Sequence, residues 1–99
     1  MIARIWRGVT PAHKADDYLR YLEATGLKEY RATPGNRGAW VLRRISDAEA
    51  EFITLSHWDS LDAIRAFAGD DYERAVYYPE DQDYLLDFAP NVEHYEIFE

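Results

Sequence analysis

This sequence predicts an α+β domain of ferredoxin-like β-α-β-β-α-β order, with its helices on one face of an antiparallel sheet. Three observations carry that expectation. Two amphipathic stripes, Ala15, Tyr18, Leu19, Leu22 and then Leu61, Ile64, Phe67, Ala68, repeat with helical period. Two runs rich in β-branched and aromatic residues lie between them, and one more stands at each end of the chain. The strand runs also carry bulk on both side-chain sets: Ile2 and Trp6 against Ile5 and Val9, Phe52 and Trp58 against Ile53 and Leu55. An antiparallel sheet with one wet face alternates more cleanly than that.

Each element follows in order. Ile2 to Val9 reads as the first strand. Thr10-Pro11 reads as a helix start, Thr10 as N-cap and Pro11 at the first helical position, where a missing N–H costs nothing. Gly26 ends or loosens this helix, and Leu27 and Tyr30 continue it for a turn. Thr33-Pro34-Gly35-Asn36 is a turn signal. Asn36 to Ser46 and Glu51 to Trp58 form a hairpin around the polar Ser46-Asp47-Ala48-Glu49 loop. Ser60 caps the second helix and Gly69 closes it. Asp70-Asp71 opens a short helix carrying Tyr72, Ala75 and Val76, which Pro79 breaks, and Glu80 to Phe88 adds another helical turn. Asn91 to Phe98 is the last strand. About twenty residues between helix and strand is long for a compact domain, so this segment is expected to serve a ligand or a partner.

Ninety-nine residues make one domain, 1–99, with no room for a second core. Helices cover one sheet face. Since the other is apolar too, a second copy in a two-fold homodimer is its expected cover. A composition that is 47% hydrophobic and 15% aromatic excludes disorder. The absence of cysteine excludes disulfides, thiolate catalysis and thiolate metal sites, and is compatible with a reducing cytoplasm. With no cationic-apolar leader and no membrane-length apolar run, a cytoplasmic location is expected. The net charge is −8, and residues 70–99 hold ten acids against the single base Arg74. Such a chain is repelled by phosphate backbones and anionic lipid, so neither nucleic acid nor membrane is an expected partner.

Three stretches resemble the antibiotic biosynthesis monooxygenase family: residues 33–38 (TPGNRG), 56–69 (SHWDSLDAIRAFAG) and 75–81 (AVYYPED). The closing Val92-Glu93-His94-Tyr95-Glu96 is similar as well, so the resemblance spans essentially the whole chain. It implies a dimeric α+β barrel and mixed activities: cofactor-independent oxygenation of aromatic polyketides in some members, haem degradation in others. The haem-degrading branch relies on an Asn in the first strand, a Trp late in the second helix and a His shortly beyond. Those places hold Trp6 or Arg7, Phe67 and Tyr77 here, so no haem ligand is supplied.

No phosphate-cradling glycine motif is present, and His13, His57 and His94 lack ligand spacing, so neither cofactor nor metal is expected. Cofactor-free oxygenation requires an electron-rich substrate, a phenol or enol whose anion hands an electron to O₂. The protein then supplies an aromatic pocket, a proton acceptor and oxyanion donors. Trp58, Phe67, Tyr72, Tyr77, Tyr78 and Tyr84 are the candidate walls, with Trp58 equally suited to the core. Arg7, Arg43 or Arg44 are the candidates to face an anion, one of the adjacent arginines otherwise meeting a carboxylate of the acidic C-terminal third. His57 and His94 are the candidates to move a proton. The expected function is a cofactor-independent monooxygenase, or a related proton-transfer enzyme, acting on a small aromatic or polyketide-like molecule. The alternative is a non-catalytic small-molecule-binding or stress-related barrel.

Overall fold

The computed structural model describes residues 1–98. Strand β1 spans Ile2–Pro11, helix α1 Ala15–Ala24, α2 Gly26–Ala32, β2 Asn36–Ser46, β3 Glu49–Trp58 and α3 Leu61–Ala68. Two short strands, β4 (Asp87–Phe88) and β5 (Glu93–Glu96), complete the chain. All pairings are antiparallel, in the order β2-β3-β1, with β4 and β5 both on the free edge of β1. This is the ferredoxin-like order, its last strand broken in two. No described helix is long and apolar enough to cross a membrane.

Strand parity sorts the side chains. Ile2, Arg4, Trp6, Gly8 and Thr10 of β1 pair with Trp58, Ser56, Thr54, Phe52 and Ala50 of β3, and this set faces the helices. Trp58 is fully buried among Tyr30 and Phe67, and its Nε1 donates to Ser56 Oγ at 2.9 Å. It is core. Gly8 carries no side chain because Trp6 occupies the space: a Cβ there would meet the indole at 2.4 Å. Gly35, in the predicted turn, has φ +92 and lies against Ala63, so the link into β2 passes close under α3.

Ser60 Oγ accepts from the Ala63 N–H at 3.2 Å, and Gly69 ends α3 at φ 84, both as the sequence implies. Other expectations need correction. Thr10-Pro11 is not a helix start; pairing with Ala50 and Glu49 holds both residues in β1, and a 3-10 turn (Ala12–Lys14) intervenes before α1. The hairpin loop is shorter than expected, with β3 beginning at Glu49 and Asp47 taking the left-handed conformation. Residues 71–76 form no helix: the Arg74–Asn91 bridge and the Ala75 N–H to Pro90 carbonyl bond pull the backbone out straight. A 3-10 turn does form at Pro79–Asp83, but Asp87 and Phe88 are drawn into the sheet by β1.

Candidate ligand site

The segment from Tyr72 to Ala89 crosses the helix-covered side of the sheet and closes a cavity over its aromatic floor. Trp6, Thr54, Tyr18 and Tyr30 line it from the sheet and first helices, Phe67 from α3, and Tyr77, Tyr78 and Asp81 from the segment. The space open to the centre of a water molecule is about 30 Å³, room for a water or two. Beside it a cleft of about 410 Å³ opens to solvent between Pro79, Gln82, Leu85 and Phe88. Tyr77, Tyr78 and Asp81 belong to both spaces and form the partition between them.

Hydrogen bonds lock this partition. Trp6 Nε1 donates to the Tyr77 hydroxyl at 2.7 Å, and that hydroxyl donates to the Ala89 carbonyl. The Tyr78 hydroxyl donates to Glu29 on α2. Asp81 is buried, accepting from the Tyr78 N–H at 2.7 Å and from the Tyr18 hydroxyl at 3.4 Å. Burial raises the Asp81 carboxyl above the usual range, against the lowering effect of those two donors. The Tyr18 phenol is raised as well, by burial and then by Asp81, so it stays a donor. Tyr21 is pushed up to about 12 by burial and the nearby acids.

The residues singled out from the sequence scatter around this cavity. Phe67, Tyr77 and Tyr78 line it. Trp58 backs Phe67 at 5.8 Å. Tyr84 stacks with Tyr21 and packs on Tyr18, both at 5.3 Å. Tyr72 packs on His94 at 5.4 Å and on the Arg65 guanidinium at 5.1 Å. Arg7 and His57 lie on the opposite sheet face, where His57 meets Trp40 edge-on at 4.8 Å. Arg43 pairs with Asp16 of α1 at 2.8 Å and Arg44 with Glu51 of β3 at 3.0 Å; neither meets the acidic C-terminal third. His94 is on the helix-facing side, and its Nε2 accepts from an Arg4 NH at 3.1 Å, which places its proton on Nδ1. Burial, and secondarily Arg4, lower the His94 pKa, favouring the neutral ring.

Asp81, Tyr18, Trp6 and Arg4 were not among the sequence candidates. Strand parity would have found Arg4, which stands two residues from Trp6 on the same face. Asp81 has a local signal, an acid following Pro79 at the start of a turn. Among the described residues no three His, Cys, Asp or Glu side chains form a metal-binding group.

No protein-family model and no curated protein sequence matches the chain. Solved structures do. Rv0793 from Mycobacterium tuberculosis aligns with a TM-score of 0.65 at 19% identity, covering 99% of this chain and 95% of that one. A protein from Deinococcus radiodurans, named provisionally as an antibiotic biosynthesis monooxygenase, aligns at 0.65 with 18% identity over 100% and 94%. MhuD from M. tuberculosis, described as a heme-degrader with two hemes bound in its active site, aligns at 0.59 with 19% identity over 98% and 95%. At these identities the likeness establishes a common fold. The resemblance read from the sequence therefore has the fold of those proteins beneath it, and chemistry has to be argued from the site.

Proposed function

We propose that this antibiotic biosynthesis monooxygenase-like fold binds a small phenolic or polyketide-like molecule between the sheet and the 72–89 segment, and that Asp81 takes a proton from it. One observation carries the reading: a buried carboxyl, with its pKa raised, on the boundary between an aromatic cavity and an open cleft. A raised carboxyl is a better general base at neutral pH than an ordinary one. Deprotonation of a phenol or enol there gives the electron-rich anion that donates an electron to O₂. Tyr18 remains a donor beside the carboxyl.

Substrate reaches the floor only if the partition moves. The cleft has the volume of a ligand pocket, whereas the closed cavity admits only water. Apart from the two-residue β4 pairing at its end, the segment is held by isolated hydrogen bonds and one bridge, the pattern of a low-stability unit able to open. Haem does not fit these residues: no histidine lines either space, and His94 Nε2 is already occupied by Arg4. A homodimer is part of the proposal, supported by the uncovered apolar face bearing Ile5, Trp40, Leu42, Ile53 and Leu55.

O₂ uptake with a panel of hydroxynaphthalenes tests the enzyme reading. Asp81→Asn is expected to lower turnover by about 10²-fold or more, the usual worth of a general base. Wild-type rate should rise with pH through a pKa above the ordinary carboxylate value. For stability the sign is opposite. A raised acid favours the folded state most below the ordinary carboxylate pKa, and that contribution is lost as pH rises through the folded pKa. Asp81→Asn should flatten that fall in a series of melting curves. A second reading, a non-catalytic binding protein, would use the same open cleft without the proton transfer. Binding without O₂ uptake across the panel would establish it.

A further inference from the structure

Arg4 is only 2% exposed, yet no carboxylate among the described residues pairs with it. Its contacts are neutral: one terminal nitrogen donates to the Tyr72 carbonyl and His94 Nε2, the other to the Arg74 carbonyl at 3.2 Å. Its Nε–H, buried, has no acceptor at all. The guanidinium carbon lies 5.8 Å from the centre of the Phe67 ring, which lines the cavity; burial lowers the Arg4 pKa, and Tyr30 of the same wall opposes that. Burying an unpaired cation is costly, and an orphaned donor adds to that cost. The fold tolerates this where an anion arrives later to complete the site.

We propose that Arg4, which lies outside the cavity lining but against the Phe67 ring, is the anion-recognition residue of the ligand site, and that the ligand carries a carboxylate or acidic enol attached to its aromatic ring. This rests on the aromatic-ligand reading above and narrows its substrate class to aromatic anions. Once the partition has opened, the ligand's oxyanion accepts from the unpaired Nε–H, while its ring packs against Phe67. Asp81 then faces the opposite end of the molecule. Like charges repel, so the ligand's oxyanion is held at the Arg4 end, away from the Asp81 carboxylate, and the end that meets Asp81 still carries its proton.

Calorimetry with 6-hydroxy-2-naphthoate and with 2-naphthol, which share a ring system and differ in the carboxylate, tests this. The acid should bind wild-type protein at least tenfold tighter, and Arg4→Gln should bring the two to parity. Because Arg4→Gln also removes ties to the 72–74 backbone, a second measurement needs no variant. The Arg4 Nε–H resonance should move downfield on addition of the acid and stay in place with naphthol. Equal affinities in wild type, or an unmoved Nε–H signal with the acid bound, would overturn the role of Arg4 while leaving the aromatic site standing. Failure of both compounds to bind would bring down the two readings together. A preference that survives in folded Arg4→Gln would place the anion contact on another residue and overturn the assignment.

Discussion

Along β3, Ala50, Phe52, Thr54, Ser56 and Trp58 are buried beneath the helices, whereas Glu51, Ile53, Leu55 and His57 on the opposite face are half-covered. The neighbouring strands sharpen the contrast. On the helix side Trp6 and Arg4 are enclosed; on the other, Trp40, Leu42 and Tyr95 are 45%, 49% and 52% exposed. The same alternation thus produces one finished core and one apolar face left exposed by the chain. Polar groups differ as well. Among the described residues Arg4 Nε is the one fully buried side-chain nitrogen or oxygen without a partner, while ion pairs such as Arg37–Asp59 and Arg44–Glu51 are peripheral. The proposed ligand site belongs to the enclosed side and the proposed association to the bare one.

The largest expected effect is on the enclosed face. Trp58→Ala should cost about 3–5 kcal/mol, because a fully buried indole leaves a cavity that Tyr30 and Phe67 cannot fill. An unchanged melting temperature would mean the two faces do not differ in packing. On the bare face the expected effect is on association. Leu55→Asp should weaken the homodimer by about 100-fold, roughly 2.7 kcal/mol, and halve the mass seen by sedimentation without unfolding the protomer. If wild type sediments as a monomer at micromolar concentration, this face is not a dimer seam. A smaller effect is expected where the segment meets the sheet. Tyr77→Phe removes the hydroxyl that joins Trp6 to Ala89 and should cost about 1–2 kcal/mol. Amide exchange should then accelerate in 72–89 before it does in β3.

The same contrast explains what could be read from the sequence. Helix α1 follows from its period, α3 from period with the Ser60 cap and the Gly69 stop, and the hairpin strands from their composition and polar loop, all of them local signals. Residues 70–90 have no such period. Their conformation is set by distant partners, Val9 for the Leu86 N–H, Arg7 for the Ala89 N–H and Asn91 for Arg74. The aromatic members Phe67, Tyr77 and Tyr78 stood out by size. Asp81 was hidden among ten acids whose simplest reading is a solvated face, its place just after Pro79 at the start of a turn being a weak local cue to its burial. Arg4 was hidden by parity: until Trp6 is assigned to the helix side, Arg4 and Arg7 are equally good anion ligands. The structure separates them, one enclosed and one on the bare face.

The smallest expected effect bears on the bare face directly. Arg44 and Glu51 form an ion pair there at 3.0 Å, with the Arg44 side chain 78% exposed. An exposed pair contributes under about 1 kcal/mol, and salt screens it. Arg44→Ala should therefore shift the stability of the isolated protomer only slightly, and the shift should vanish at high ionic strength. The pair lies at the hairpin end of the sheet, one step beyond Leu42 and Ile53. A second copy centred on Leu55 leaves that end near the rim, where water still reaches it. The cost of Arg44→Ala should then stay the same when protein concentration is raised from monomer to dimer. A cost that grows to several kcal/mol in the dimer would show the pair sealed by the partner, and would shift the centre of the interface toward the hairpin.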